Sequence, residues 1–386
     1  MLPRSFAARL AALSIAALSL VAAQARAAEF TDSAGRIMML PNRLGRVMAA
    51  DMSAEVLIFA LAPDRLAGWV RPPAGALPPR LAQRPLLGTI ADPAATAAIM
   101  RVKPDAIIDV GDVTPDRAAF ADQMTQATGI PYILLDGSFD RTPTTLRVAG
   151  RLLGVADRAD DLAGSAEHAI NALRGQLLIE PAVKRPHVYY GRGANGLEPA
   201  LPGSPAAAAL DDAGAINAAA GVPPAPGPVA VTGQQLQEWN PDIIIAQSPA
   251  FYNALLHNPG WRTLAAVRNR HVYLEPSTPF GWIDDPPGVN RLIGLYWLSI
   301  LLYPGENQND VRSLAQDFYD KFYGIKLSDK QIDAIAKTAG IPASDTPHLA
   351  DLPLSGNGLT PGNAPPGRGG TLPPPITTTP SYLMPK

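Results

Sequence analysis

The chain has 386 residues, a formal net charge of −2 and no cysteine. The lack of cysteine excludes disulfide bonds, thiolate metal sites, cysteine nucleophiles and a lipid-anchored amino-terminal cysteine. The mildly acidic balance argues against nucleic acid as a partner. The length suggests two globular domains.

The first 27 residues predict export from the cytoplasm. Arg4 and Arg9 form a basic segment, residues 10–23 are an uncharged apolar run, and Ala25-Arg26-Ala27 offers the small-x-small pattern of a cleavage site. The apolar run is about half of a bilayer span, so we expect a cleaved signal peptide and not a retained membrane helix. Without a lipid anchor, the mature chain is expected as a soluble monomer in the periplasm of a Gram-negative bacterium.

Residues 28–140 alternate short apolar runs with helical patterns. The runs predict strands at residues 46–50, 66–70, 86–88, 106–110 and 132–135. Helices are predicted at residues 53–61 and 93–102, the second ending before Lys103-Pro104 because proline disfavours a helical residue ahead of it. Strands that alternate with helices predict a parallel, doubly wound α/β lobe.

A helical pattern covers residues 142–178, within a predicted linking segment 141–180. Gly154 and Asp157 weaken its middle and leave a break open. The alternation resumes over residues 181–340, with apolar runs at residues 188–190, 243–246 and 272–274. The simplest arrangement is α/β, with two doubly wound lobes joined by one long helix. Residues 341–386 are rich in Pro, Gly, Thr and Ser, so we expect a disordered tail.

Several short motifs resemble those of one family in their order and spacing. They are Phe30-Thr31-Asp32-Ser33-Ala34-Gly35-Arg36, Pro41, Arg46-Val47, Ser53-Ala54-Glu55, Leu61-Ala62-Pro63, Lys103-Pro104-Asp105, Leu152-Leu153-Gly154, Trp239-Asn240-Pro241-Asp242 and Phe318-Tyr319 with Phe322-Tyr323-Gly324. Over residues 29–338 the chain resembles the periplasmic substrate-binding proteins of ABC importers for ferric siderophores, haem and cobalamin. The resemblance implies two lobes bridged by one rigid helix, a ligand cleft between them and little domain motion on binding.

The candidate cleft residues follow from the rule that ligands sit beyond the carboxyl ends of strands in open α/β sheets. The first lobe offers Asp51, Met52, Trp69, Arg71, Gly111 and Asp112, and the second offers Tyr190, Arg192, Gln247, Ser248, Phe280 and Trp282. Arginine and aromatic side chains suit a large, flat or anionic ligand. The alternative is that the aromatic side chains only pack at the boundary between the lobes.

Residues 280–291 are the densest cluster of candidates. Asp285 is a predicted N-cap with Pro286 at the first helical position. The helix that follows is apolar on every face, which predicts burial. Arg291 near its start can hold an anion. In the alternative interpretation Arg291 pairs with Asp284 or Asp285 and locks the loop.

Other chemistry finds little support. Residues 191–196 match G-x-G-x-x-G, but the sequence that follows cannot form the required helix, so an irregular binding loop is a better interpretation than a nucleotide site. The histidines show no metal-ligand spacing; they are His168, His187, His257, His271 and His348. We therefore expect no intrinsic cofactor and no bare metal site. A metal already wrapped in a chelator needs no such cluster.

The resemblance also implies one docking acid on each lobe for arginines of an ABC permease. On the second lobe the position falls on Asp211, with Asp212 adjacent. On the first lobe it falls on Ala97, so another acid such as Asp92 serves, docking is asymmetric, or the partner differs. The alternative for Asp211 is an ordinary exposed helix residue.

Together these features predict a periplasmic receptor that is not an enzyme. It captures a metal chelate, foremost a ferric siderophore with its bound iron, and delivers it to an ABC permease in the inner membrane. Haem, cobalamin and molybdate or tungstate are alternatives within the class, with Tyr190 available as an axial haem ligand. The rival class is an exported metal-dependent enzyme on the same fold, with Asp112 or Asp51 as its acid or base.

Overall fold

The computed structural model describes residues 27–75, 77–90, 93–177, 185–225, 227–303 and 311–340. The predicted signal segment, apart from Ala27, and the predicted tail lie outside these residues. Within the described chain, two α/β lobes face each other across a cleft. None of the described helices is both long enough and apolar enough to cross a bilayer.

The first lobe contains a hairpin and a three-stranded parallel sheet. Its elements are β1 (Ala27–Thr31), β2 (Ile37–Pro41), β3 (Val47–Ala49), α1 (Met52–Leu61), α2 (Pro79–Ala82), α3 (Pro93–Val102), β4 (Ala106–Gly111), α4 (Pro115–Thr128) and β5 (Tyr132–Asp136). The sheet order is β3-β4-β5. The predicted strands at 66–70 and 86–88 are wrong, because Leu66 and Trp69 each form only a single isolated bridge, to Val47 and Leu86.

Two helices, not one, occupy the predicted linking segment. They are α5 (Thr142–Leu153) and α6 (Ala156–Leu177). Gly154 adopts a left-handed conformation (φ 71°) that ends α5, and α6 turns back to pack against it. A Cβ atom on Gly150 would lie 2.0 Å from the Cβ of Ala159, which shows how closely the two helices approach. The single continuous helix is therefore wrong, and α6 alone leads toward the second lobe.

The second lobe surrounds a mixed sheet. Its elements are β6 (His187–Arg192), β7 (Glu198–Pro199), α7 (Pro205–Asp212), β8 (Ile216–Asn217), α8 (Gly233–Trp239), β9 (Ile243–Ala246), α9 (Pro249–His257), α10 (Ala265–Arg268), β10 (Val272–Leu274), α11 (Arg291–Leu302), α12 (Val311–Phe318), a π-helix (Tyr319–Tyr323) and α13 (Asp329–Ala339). Strands β10, β9 and β6 are parallel neighbours. On its other edge β6 pairs with β8 in parallel and with β7 in antiparallel orientation.

The two lobes share one hydrophobic core at the base of the cleft. Phe59 of α1 meets Phe280 of the second lobe edge-on at 5.4 Å and Tyr323 at 5.9 Å between ring centroids. All three side chains belong to a single buried cluster that contains residues of both lobes. The outer face of each sheet has a separate cluster. Because protein interiors are close-packed, this shared core resists separation of the lobes at their base.

One arginine adds polar contacts to the same junction. Arg158 of α6 donates from Nε and Nη2 to the carbonyl oxygen of Ala60, at 2.9 and 2.6 Å. Its Nη2 also lies 3.2 Å from the carbonyl oxygen of Lys321 in the π-helix. A single guanidinium thus satisfies backbone carbonyls of both lobes, close to the carboxyl ends of helices where a positive charge is favourable.

Candidate functional site

A cavity of about 730 Å³ lies between the lobes, and we call it the main cavity. The carboxyl ends of all three strands of the first-lobe parallel sheet open into it, through Asp51, Gly111 with Asp112, and Asp136 with Gly137. The second lobe contributes Ser204, Asp212 and the segment 287–289 with Arg291. This is the position that the strand-end rule predicts for a ligand in α/β folds.

Four helices begin at the wall of the main cavity. Asp51 is the N-cap of α1 and Ser204 the N-cap of α7, while Thr142 and Arg291 are the first residues of α5 and α11. All four residues line the cavity. The amino end of a helix carries a partial positive charge and unpaired N–H groups, so this wall favours negatively charged ligands.

Arg117 of α4 joins two first-lobe carboxylates at the cavity. Its Nε donates to buried Asp109 at 2.9 Å and its Nη2 lies 3.1 Å from Asp51. The Tyr132 hydroxyl also donates to Asp109, at 2.8 Å. Burial raises the pKa of Asp51 to about 6, although the Ala54 N–H and Arg117 act in the opposite direction. Arg117 is therefore held in place and largely neutralised by its neighbours.

Arg291 is the buried cation of the main cavity. The residue is 6% exposed, and its Nη2 donates to Asp212 at 3.2 Å. Its Cζ lies 5.1 Å from the centroid of the Phe139 ring, which belongs to the opposite lobe. Its Nε has no hydrogen-bond partner among the described residues. Arg291 thus keeps one buried donor that no described residue satisfies.

The predicted cap is wrong, and so is the alternative that Arg291 pairs with Asp284 or Asp285. Asp285 pairs with Arg71 across the lobes, and Asp284 accepts from Tyr190 at 2.7 Å. The helix begins at Arg291, five residues after the predicted start at Pro286, and Asn290 precedes it. The Asn290 side chain donates to the carbonyl of Pro286 at 2.7 Å, so this amide stabilises the loop that Asp285 was expected to end.

The predicted aromatic walls of the cleft are also wrong. Trp69 and Trp282 are each 1% exposed and lie in the shared core. Trp69 Nε1 donates to the Leu81 carbonyl at 2.9 Å, and Trp282 Nε1 donates to the Tyr319 hydroxyl at 3.1 Å. Phe280 is buried in the same core but also lines a smaller cavity between the lobes. The two tryptophan rings turn inward because burial of their large apolar area is favourable once each indole N–H has a partner.

Tyr190 lies in a buried acidic network and not on a cavity wall. Its hydroxyl is 2.6 Å from Glu275 and 2.7 Å from Asp284. A phenol has one proton, so it donates to one carboxylate and the other carboxyl group must carry a proton. Burial raises the pKa of Glu275 to about 8. Arg192 lies 3.5 Å from Asp284 in the same network. Tyr190 is thus fully engaged and does not present a free ligand for haem.

A second inter-lobe cavity of about 260 Å³ separates some predicted site residues from the rest. It is lined by Met52, Glu55, Arg71 and Phe280, among others. Glu55 is buried and accepts from the Val70 N–H, and burial raises its pKa to about 7. We call this space the small cavity.

The predicted ligand-binding residues therefore divide into three groups. Asp51, Asp112 and Arg291 line the main cavity, while Met52, Arg71 and Phe280 line the small cavity. Trp69, Tyr190, Arg192 and Trp282 line neither, and the same holds for Gln247 and Ser248. Ser248 instead donates to the Ala194 carbonyl at 3.0 Å.

Several main-cavity residues escaped the sequence analysis. Ser138, Phe139 and Thr142 line the cavity just after β5, and the strand-end rule that found Asp51 would have found this segment too. Arg117 and Ser204 had no such signal. Arg117 lies in the first turn of a surface helix, and only the fold brings its guanidinium to the cavity.

The two predicted docking acids face different environments. Asp211 is exposed, whereas Asp212 is partly buried in the main cavity against Arg291. On the first lobe Ala97 is exposed on α3, and Asp92 lies outside the described residues. Docking through Asp211 stays a prediction.

The glycine-rich motif and the described histidines line neither cavity. Residues 191–196 form the turn between β6 and β7, and no helix begins there, which agrees with the rejection of a nucleotide site. His168, His187, His257 and His271 are exposed, and His348 lies outside the described residues. Within the described chain no three His, Cys, Asp or Glu side chains are arranged to hold a metal ion.

Comparison with known proteins agrees with this architecture. Residues 96–279 match a family model described as periplasmic binding protein. The ABC transporter solute binding protein from Sulfurospirillum deleyianum is 27% identical, with a TM-score of 0.74 over 80% of this chain and 99% of that chain. The family model spans just under half of the chain, and the chain resembles periplasmic binding proteins in sequence and in fold. The prediction of two α/β lobes is confirmed.

Another periplasmic binding protein shows similarity in sequence and in structure. The molybdate-binding protein MolA of Haemophilus influenzae is 32% identical over 117 residues, which is 30% of this chain and 32% of MolA. The matched segment thus spans about a third of this relative's length. The solved structure of MolA bound to molybdate has a TM-score of 0.64 at 20% identity, over 78% of this chain and 99% of that chain. At that identity the structure shows a common fold.

Proposed function

We propose that this protein captures an oxyanion of the molybdate or tungstate type in the main cavity and delivers it to an ABC permease of the inner membrane. The observation that carries the proposal is Arg291, a buried guanidinium whose charge is paired with one carboxylate and whose Nε–H no described residue satisfies, in a cavity where four helices begin. A guanidinium matches the oxygens of an oxyanion, and helix amino ends add backbone donors. Capture and release involve no covalent step.

The acidic residues of the main cavity do not oppose this ligand as strongly as their number suggests. Asp51 is held by Arg117, and its pKa of about 6 leaves part of it protonated near neutral pH. Asp140 pairs with Arg174 at 2.5 Å and Asp212 with Arg291. Arginines therefore offset three of the carboxylates that would repel an anion.

The lining of the cavity and the likeness to MolA support the same ligand class. Phe139 is the single aromatic residue among the described residues that line the main cavity. A planar haem or a cobalamin ring would find little aromatic surface there. MolA, whose solved structure carries molybdate, has the same fold and a stretch of similar sequence.

An anionic metal chelate such as a ferric siderophore is the second candidate, and one observation favours it. The main cavity measures about 730 Å³. Pockets of about 300–1,000 Å³ hold drug-sized molecules, and a tetrahedral oxyanion is far smaller. A chelate with carboxylate or hydroxamate oxygens would use the same Arg291 donors.

Ligand titration tests the proposal. The protein is purified from the bacterial periplasm and freed of bound ligand by unfolding and refolding. It is then titrated calorimetrically with molybdate, tungstate, ferric hydroxamate and catecholate chelates, haem and cobalamin. We expect molybdate or tungstate to bind one to one, and to add about 2.7 kcal/mol of stability at 100 times the Kd.

Two variants locate the site. Arg291→Gln is expected to abolish oxyanion binding, whereas Arg71→Gln in the small cavity leaves it unchanged. Circular dichroism confirms that both variants fold. If a ferric chelate binds and no oxyanion does, the second candidate replaces the proposal. Turnover of a bound chelate would instead favour the alternative of an exported metal-dependent enzyme.

A further inference from the structure

Asp212 is placed to interact with the same guanidinium that the ligand would use. It is the last residue of α7, and both it and the N-cap Ser204 line the main cavity. Its Oδ2 lies 3.2 Å from Nη2 of Arg291. The Asp212 side chain is 42% exposed, whereas that of Arg291 is 7% exposed. The Arg291 guanidinium is thus buried in the wall of the main cavity, and the more exposed Asp212 carboxylate contacts it from the solvent side.

We propose that Asp212 is a resident counter-anion, which pairs with Arg291 in the empty cavity and gives way to the oxyanion of the ligand. The inference rests on the proposed function for the identity of the ligand. A buried guanidinium without a partner is costly, so the empty protein needs a carboxylate at this position. A bound oxyanion supplies the same compensation. Because the two anions compete for one guanidinium, Asp212 lowers the affinity of the site.

The neighbouring charges make it easier for a ligand oxyanion to displace Asp212 from Arg291. Asp140 and Asp211 both repel the Asp212 carboxylate, and Arg174 attracts it weakly because Arg174 already pairs with Asp140. Arg291 is therefore the main attraction that holds Asp212 at the cavity wall. Since the Asp212 side chain is partly exposed, it can turn toward solvent when the ligand arrives. Burial raises the pKa of Asp212, which makes its displacement easier still.

Phe139 holds the guanidinium in position while its partners change. Its ring centroid lies 5.1 Å from Cζ of Arg291. This cation–π contact uses none of the N–H donors of the guanidinium. An oxyanion that replaces Asp212 at Nη2 therefore leaves this ring contact in place.

The exchange and a purely structural ion pair predict opposite effects on binding. If Asp212 only neutralises Arg291, its removal destabilises the protein and leaves oxyanion affinity unchanged or lower. If Asp212 competes with the ligand, its removal still destabilises the empty protein but raises the affinity. Thermal unfolding and calorimetric titration of the same variant separate the two.

The test compares Asp212→Asn with a matched loss of charge elsewhere. Asp64→Asn removes the carboxylate of an exposed ion pair with Arg80, in which the two atoms are 2.8 Å apart and neither residue lines the main cavity. Molybdate, tungstate, sulfate and phosphate are the probes. We expect Asp212→Asn to bind its preferred oxyanion about tenfold more tightly than wild type, and Asp64→Asn to stay within about twofold. Asp212→Ser provides a second charge-free variant.

Each outcome decides between the two proposals. If wild type and Asp212→Asn bind an oxyanion equally well, the proposed function stands and the counter-anion role is overturned. If only Asp212→Asn binds, the counter-anion role stands and the wild-type protein is not an oxyanion receptor. If neither binds any of the four probes, both are overturned. Adding Arg291→Gln to Asp212→Asn should remove the gain.

Discussion

Replacement of Trp282 by alanine distinguishes a core residue from a ligand-binding residue. Trp282 is 1% exposed, meets Trp297 edge-on at 5.9 Å and donates to the Tyr319 hydroxyl. Truncation of a buried tryptophan to alanine costs about 3–5 kcal/mol, and the lost hydrogen bond adds about 1 kcal/mol. We expect the free energy of unfolding to fall by about 4 kcal/mol or more, with the affinity of the folded protein unchanged.

Urea unfolding followed by far-UV circular dichroism measures the stability of the variant. Ligand titration well below its unfolding transition measures affinity. Trp261→Ala is the control, because that ring is only partly buried and its loss should cost less than that of Trp282. An affinity reduced more than about tenfold, with stability changed by less than about 1 kcal/mol, would show that Trp282 binds ligand.

Four further substitutions test the packing and the charges. Gly294→Ala should sharply lower the melting temperature, because its new Cβ would lie 1.8 Å from a backbone carbonyl oxygen. The new methyl group of Gly164→Ala in α6 meets nothing within 4 Å, so this variant should raise the free energy of unfolding by about 0.5–1 kcal/mol. An equal loss of stability in both glycine variants would contradict this packing. The pKa of Glu275 is about 8 in the folded protein, against an ordinary value of 4.5, so the free energy of unfolding should fall as pH rises between these values. Glu275→Gln should flatten that fall in urea midpoints measured at pH 5 and pH 8, and an unaltered slope would exclude Glu275 as its source. Arg71→Ala breaks only the exposed pair with Asp285 and should change the unfolding free energy by less than about 1 kcal/mol, so a larger loss would show a tighter link between the lobes.

The sequence predicted the elements whose signals are local. The helix at 93–102 and the strands at 243–246 and 272–274 coincide with the structure, because prolines or continuous apolar runs mark them. The strand expected at 66–70 is absent, because apolar composition alone does not provide a neighbouring strand with which to form a ladder. The turn at Gly154 was left open, since only packing of α6 on α5 decides whether a helix continues past a glycine.

The site was predicted where position along a strand was sufficient. Asp51 and Asp112 line the main cavity because they follow β3 and β4. The prediction that Trp69 and Trp282 line the cleft was wrong, because a sequence does not show whether a ring after a strand turns toward the cleft or the core. The partner of Arg291 was missed for a related reason: Asp212 lies 79 residues away along the chain.

The junction formed by Arg158 and the shared aromatic core has a consequence for ligand exchange. To swing the lobes apart, the protein would have to release carbonyl oxygens on both sides of Arg158 and expose Phe59 and Phe280 to water. Access to the cavity must then come from rotation of side chains near its mouth, and the molecule should keep its radius of gyration whether full or empty.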